Sequence, residues 1–156
     1  MKHLLVTTIA AVVLVGCGTQ PQSPRKSLIL EIEEGNTAKV IEMINEGADI
    51  NTRDSIQRTP LHAAARKNNT EIMELLISKG ADIEATVVGP KFTPLFDAAM
   101  GGKKEAIQLL IQKGAKVNAK TPAGETPVDF ASGTEAADLL RKHGGKTGEE
   151  LKAAGN

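Results

Sequence analysis

Few residues in this 156-residue chain are of types that do chemistry, and their spacing argues against a reaction. His3, His62 and His143 stand singly, and an imidazole without an orienting partner makes no triad. HExxH and similar metal motifs are absent from the sequence. Cys17 is the only cysteine, which excludes an internal disulfide and a cysteine-built zinc site. Gly145-Lys146-Thr147 matches the end of a phosphate-cradling loop, but that loop needs a glycine five residues before Gly145, where Leu140 stands. The stretch also follows a helical pattern rather than a strand, so it reads as a terminal turn. Glu33-Glu34 and Glu149-Glu150 read as solvated surface, because paired catalytic carboxylates need environments that separate their pKa values. No catalytic residue, metal or cofactor is expected, and no small-molecule substrate.

Composition narrows the alternatives. Lys and Arg number 19 against 19 Asp and Glu, a formal net charge of zero, which argues against a nucleic-acid binder. Hydrophobic residues make up 40%, too many for a wholly disordered chain. Phe92, Phe96 and Phe130 are the only aromatics, so base-stacking platforms are almost excluded. The core must be built from Leu, Ile, Val and Ala, which suits closely packed helices in one domain.

The first segment reads as an address rather than as part of that core. Lys2 and His3 precede an apolar run over residues 4–15, followed by Gly16 and Cys17. A short basic start, an apolar stretch and a small residue before the cut are the parts of a secretory signal. The run has 12 residues, against about 20 for a membrane-spanning helix. Leu14-Val15-Gly16-Cys17 resembles the lipobox of bacterial lipoproteins. That resemblance implies a signal peptide over 1–16 and acylation of Cys17 as the first mature residue. It places the protein in the bacterial cell envelope, lipid-anchored. Gly18, standing where Asp would retain the protein at the inner membrane, favours the outer membrane, facing the periplasm. Residues 17–24 form a lipidated tether, and the seven residues of GTQPQSP extend at most about 25 Å.

From Arg25 onward the sequence repeats itself. Thr59-Pro60-Leu61-His62 recurs as Thr93-Pro94-Leu95-Phe96 and Thr126-Pro127-Val128-Asp129, at spacings of 34 and 33. Gly47-Ala48-Asp49, Gly80-Ala81-Asp82 and Gly114-Ala115-Lys116 recur at 33 and 34. Two landmarks in phase are strong evidence of a structural repeat. In each unit Thr is a natural helix cap and Pro the first helical residue. The short helix that follows carries Ala64 and Ala65, or Ala98 and Ala99, small enough for close approach. Gly35, Asn68 and Gly102 end these helices with residues that tolerate the left-handed conformation. A second helix follows, with predicted core faces Val40, Ile41 and Ile44; Ile72, Leu75 and Leu76; Ile107, Leu110 and Ile111; and Leu139 and Leu140. One such unit cannot bury its apolar side alone, so the units must stack.

These motifs resemble the ankyrin repeat. The resemblance implies an all-α solenoid of stacked helix pairs with short β-hairpin finger loops. It implies a repeat domain over 25–146: an N-terminal cap 25–53, repeats 54–86 and 87–120, and a C-terminal cap 121–146, then a short tail over 147–156. His62 is implied to hydrogen-bond backbone between repeats. Several departures stand out. The first unit has Lys26-Ser27 in place of Thr-Pro and is expected to expose Glu31, Glu33 and Glu34. Thr126 to Leu139 spans 13 residues where the two preceding units span 16, so the first helix of that unit must be clipped. Gln57 replaces the turn glycine of one finger, and the next finger gains a residue around Val88-Gly89-Pro90. Thr147 and Glu150 form a capping-box pattern before Leu151, which predicts one short final helix.

The resemblance also implies a non-enzymatic protein-binding scaffold whose partner docks on the fingers and the outer ends of the first helices. Carried over, those positions are Ser55, Ile56, Arg58, Arg66 and Lys67; Val88, Phe92 and Met100; and Pro122 and Glu125. Ile56, Val87, Val88, Phe92 and Met100 are read as an apolar stripe, with interdigitated finger packing as the alternative for Val87 and Phe92. Arg53, Arg58, Arg66 and Lys67 would add a basic flank attractive to an acidic partner. The alternative function is an inhibitor or immunity-type protein that blocks a toxin or an envelope enzyme.

Overall fold

A computed structural model of the protein describes residues 27–155; the signal, Cys17 and the tether lie outside them. Eight helices follow in order: α1 Leu28–Glu34, α2 Thr37–Asn45, α3 Pro60–Lys67, α4 Thr70–Ser78, α5 Pro94–Met100, α6 Lys104–Gln112, α7 Thr134–Lys142 and α8 Gly148–Ala153. The helices pair as hairpins, α1 with α2, α3 with α4 and α5 with α6. The hairpins stack so that α1, α3 and α5 form an inner row, while α2, α4, α6 and α7 form an outer one. No helix among the described residues is long and apolar enough to cross a membrane.

The local chemistry explains the inner row. Thr59 and Thr93 are extended, at φ −100° and −91°, and Pro60 and Pro94 open their helices where the missing N–H is no loss. Ala64, Ala65, Ala98 and Ala99 are completely buried, and their small volume lets successive inner helices touch. Gly35, Asn68 and Gly102 adopt φ of 81°, 58° and 62°, so the chain reverses at the same slot in each unit. In the last unit the Thr126-Pro127 segment forms only turns over 127–130, the clipping that its short spacing predicts.

The outer row is apolar, but its buried face is one residue out of phase with the expectation. Ile72, Met73 and Leu76 on α4 are fully buried, and Ala106, Ile107 and Leu110 take the matching places on α6. Leu75 and Ile111, both expected inside, only pack against the edge of this core. Met73 and Leu109 are buried instead. The i, i+1, i+4 set is as helical as i, i+3, i+4, so spacing alone could not choose between them.

One correction concerns the first unit. Glu31 is buried rather than exposed, Glu33 is half-buried, and only Glu34 faces solvent. Position 31 matches Ala64 and Ala98 in the neighbouring units and so faces the next repeat. Its carboxylate is satisfied there by Asn36 Nδ2 at 2.6 Å.

The fingers are tight turns, with no strand among the described residues. Asp54 N–H donates to Arg58 O, and Thr121 N–H to Glu125 O, each closing a finger over the same span. The middle finger closes one residue wider, from Val87 N–H to Phe92 O, which accommodates the extra residue. The first and third fingers each turn on one left-handed residue, Gln57 (φ 65°) and Gly124 (φ 87°), and the wider middle finger uses two, Gly89 (φ 84°) and Lys91 (φ 59°). Asp54 Oδ1 holds the first such turn by accepting Ile56 N–H and Arg58 N–H.

The tail folds as its capping pattern predicts. Thr147 Oγ1 accepts Glu150 N–H at 3.2 Å, and Glu150 Oε2 accepts Thr147 N–H at 2.7 Å. α8 buries Leu151 and lies so close to the last finger that a Cβ on Gly148 would stand 2.2 Å from Gly124 O. Asp129 fastens it from the clipped turn, accepting Gly148 N–H at 2.8 Å together with Thr126 N–H at 2.7 Å.

Candidate functional site

His62 is held by backbone on both sides. It is completely buried; Nδ1 accepts Thr59 N–H at 3.2 Å, which leaves the proton on Nε2 to donate to Phe92 O at 3.1 Å. Burial pushes its pKa down to about 4, against the opposing pull of the Phe92 carbonyl. A neutral imidazole with both nitrogens engaged ties one repeat to the next and has no atom left for catalysis. Gly145-Lys146-Thr147 is equally occupied: Lys146 N–H donates to Asn118 Oδ1, and Thr147 caps α8.

The candidate stripe divides. Ile56 and Val88 stand exposed on adjacent fingers, joined by Val88 N–H donating to Ile56 O at 3.1 Å. Met100, also exposed, ends α5 at the slot that Arg66 and Glu33 hold in the preceding units. Ser55, Lys67, Pro122 and Glu125 are exposed as well. Two members are corrected. Val87 is buried, and Phe92 is half-buried in an aromatic trio. Its ring stacks on Phe96 at 5.0 Å between centroids and meets the edge of Phe130 at 4.9 Å. Such offset and edge contacts are worth more to the fold than an exposed ring would be. Phe92 therefore packs between units rather than waiting for a partner.

The basic flank is also corrected, because it carries its own counter-charges. Glu33 Oε1 bridges Arg58 Nη1 at 3.1 Å and Arg66 Nη2. Arg58 Nε pairs with Asp54 Oδ2 at 2.7 Å, and Arg53 Nη1 donates to the carbonyls of Gln57 and Thr86. Burial works against ionising Asp54, yet hydrogen bonds from Arg58 and Ile56 outweigh it and hold its carboxyl below the usual range. Lys67, like Arg53, is exposed.

Two residues on the inner row escaped sequence reasoning. Leu30 is 42% exposed, in a unit set aside as a polar cap. Asp97 follows Phe96 at the slot filled by Leu30, Ala63 and Phe130 in the other units. It is half-buried, and its carboxylate accepts no hydrogen bond among the described residues. Burial pushes its carboxyl up to about 6, with Arg66 and Arg58 opposing. The signal was there: a charge in TPLFDAA where the preceding unit reads TPLHAAA.

Two open grooves lie toward the C-terminal end of the described residues. One of about 440 Å³ lies between α6 and α7, with Lys104 paired to Glu135 across it at 2.6 Å. The other, about 360 Å³, lies between α7 and α8 and is lined by Arg141, Lys146 and Glu150. Both mix charges of either sign, and neither gathers three metal-ligating side chains among the described residues.

The geometry just described, paired helices with Thr-Pro starts in a row and a buried histidine bridging units, agrees with two family profiles. One, described as ankyrin repeats (3 copies), matches residues 5–87. The other, described as ankyrin repeats (many copies), matches residues 95–142. The chain belongs to the ankyrin-repeat family. Among its relatives, human protein fem-1 homolog C is 52% identical over 44 residues, 28% of this chain and 7% of that protein. Its Xenopus laevis counterpart is 50% identical over 40 residues, 26% of this chain and 6% of that one. Human ankyrin repeat domain-containing protein 49 is 35% identical over 68 residues, 43% of this chain and 28% of that protein. The chain thus spans a small part of the relatives it matches. Ankyrin repeats indicate a protein–protein interaction scaffold and are generally without catalytic activity.

Proposed function

We propose that this ankyrin chain is a scaffold tethered to a bacterial membrane through acylated Cys17, and that it holds a partner protein in the cell envelope. The observation that carries the binding half is Ile56 and Val88, two exposed apolar side chains on hydrogen-bonded neighbouring fingers, on a face whose arginines are already paired. Ser55, Lys67, Met100, Pro122 and Glu125 form the surrounding rim. The lipobox Leu14-Val15-Gly16-Cys17 supports the anchor, and Gly18 after the cysteine supports the outer membrane, facing the periplasm. In this reading residues 1–16 are removed, 17–24 form the tether, 25–146 carry the repeats, and 147–156 close the stack.

Each half has its own test. Fractionation with lipid labelling of Cys17→Ser should show loss of label and release from membranes; unchanged attachment refutes the anchor. Cross-linking from membranes should recover a protein with the natural chain and lose it with the double variant Ile56→Glu and Val88→Glu. Recovery of the same partner by the double variant refutes the finger surface.

A further inference from the structure

The partly buried charged groups of the inner face are accounted for almost completely. Glu33 takes Arg58 and Arg66, Asp54 takes Arg58, and Arg53 takes two carbonyls. Asp97 is the exception. It is half-buried on α5, one residue after the aromatic trio's Phe96, and no N–H or O–H among the described residues donates to its carboxylate. The groups that act on it from packed elements are Arg66 of α3 and Arg58 of the finger, and neither forms an ion pair with it. A carboxylate partly shielded from water and given no donor costs the fold stability unless something else completes it. Met100, three residues on along α5, is exposed, and so are Ile56 and Val88 on the fingers.

We propose that Asp97 is the recognition carboxylate of this surface, and that the partner is a protein segment inserting a lysine or arginine between apolar side chains. The inserted cation donates to Asp97, while the flanking apolar groups cover Met100 and the Ile56–Val88 finger pair. This rests on the reading of the inner face and fingers as the binding surface, and it makes the specificity opposite to that of a basic flank. Arginine fits best, since its planar fork can engage both carboxylate oxygens while its stem lies along apolar surface.

The test is selection of a random 12-residue peptide display library on the immobilised full chain at pH 7.5. Selected peptides should be enriched in Lys or Arg flanked by apolar residues. Peptides free of His, Asp and Glu are then measured against the natural chain, Asp97→Asn and the Ile56→Glu, Val88→Glu double variant, with circular dichroism confirming the fold of each. Asp97→Asn should weaken binding at least tenfold. Between pH 7.5 and 5 the natural chain should lose about tenfold in affinity as the carboxyl takes up a proton, and Asp97→Asn should lose none of it. Binders that need Ile56 and Val88 but show no basic preference and tolerate Asp97→Asn overturn this assignment and leave the surface standing. Binders indifferent to the double variant, or a library that yields none, overturn the surface and the assignment together.

Discussion

Three units of this stack answer one packing question in three ways. The third residue of the inner helix, or of the turn that replaces it, is His62 in one repeat, Phe96 in the next and Asp129 in the last. His62 turns one ring nitrogen back to Thr59 N–H and sends the other across to Phe92 O. Asp129 likewise accepts Thr126 N–H, and then Gly148 N–H from the tail. Phe96 has no acceptor to offer and stacks with Phe92 and Phe130 instead. The slot therefore does not demand a chemical type. It demands a group that engages whatever the following unit presents: a carbonyl, a ring or the N-terminus of α8.

Substitutions that exchange these answers put the comparison at risk. The largest effect is expected from His62→Phe, which leaves Thr59 N–H without a partner in a dry interface and Phe92 O with Val87 N–H alone. A loss of about 3 kcal/mol in urea unfolding is the expected outcome. A loss below about 1 kcal/mol would mean that ring packing, and not hydrogen bonding, holds this joint. Gly148→Ala comes second. Its Cβ meets a backbone oxygen that cannot swing away, so α8 should undock at a cost of about 2 kcal/mol. Hydrogen exchange should then accelerate over 148–153 and not over α3 to α6. Equal exchange in both proteins would show that α8 is not seated against Gly124 O.

The pH dependence gives a subtler break. The folded-state pKa of His62, about 4, lies below its ordinary 6.5, so its contribution is complete above pH 6.5 and is lost as pH falls toward 4. Asp97 runs the other way. Its folded-state pKa of about 6 lies above the ordinary 3.8, so the cost of its burial is complete above pH 6 and is relieved as pH falls toward 3.8. Between pH 6 and 4 the two slopes oppose each other. Asp97→Asn should raise stability at pH 7 by about 1 kcal/mol and steepen the acid decline, both read from urea midpoints across pH. An unchanged midpoint at pH 7 would mean that Asp97 bears no desolvation cost. The smallest effect belongs to the fingers. Lys91→Gly relieves a left-handed side chain and should stabilise by at most about 1 kcal/mol in the same assay, whereas Gly124→Lys should reverse the sign.

The repeat, its caps and its stacking were legible in the sequence because they rest on local chemistry repeated in phase: Thr-Pro starts, reversals at Gly35, Asn68 and Gly102, and paired alanines. His62 was legible through the family motif. What stayed hidden was set between units. Glu33 lies 25 and 33 residues from the two arginines it bridges, and periodicity names cations without naming the carboxylate that lands beside them. Glu31 read as surface because its satisfying amide, Asn36, lies beyond its own helix, in the turn before α2. Met73 and Leu109 were missed because two faces of a mostly apolar helix fit the spacing equally well. Asp97 was passed over for a different reason: a charge next to two alanines looks solvated until the neighbouring repeats are laid against it.

The seated tail has a consequence for growth. Any array of like units ends in a raw face on which another copy could settle, and head-to-tail addition of that kind does not close on itself. Here Leu151, Gly148 and Asp129 seat α8 against the third finger and the clipped turn of the last unit. Another copy could settle on that patch only by first displacing α8.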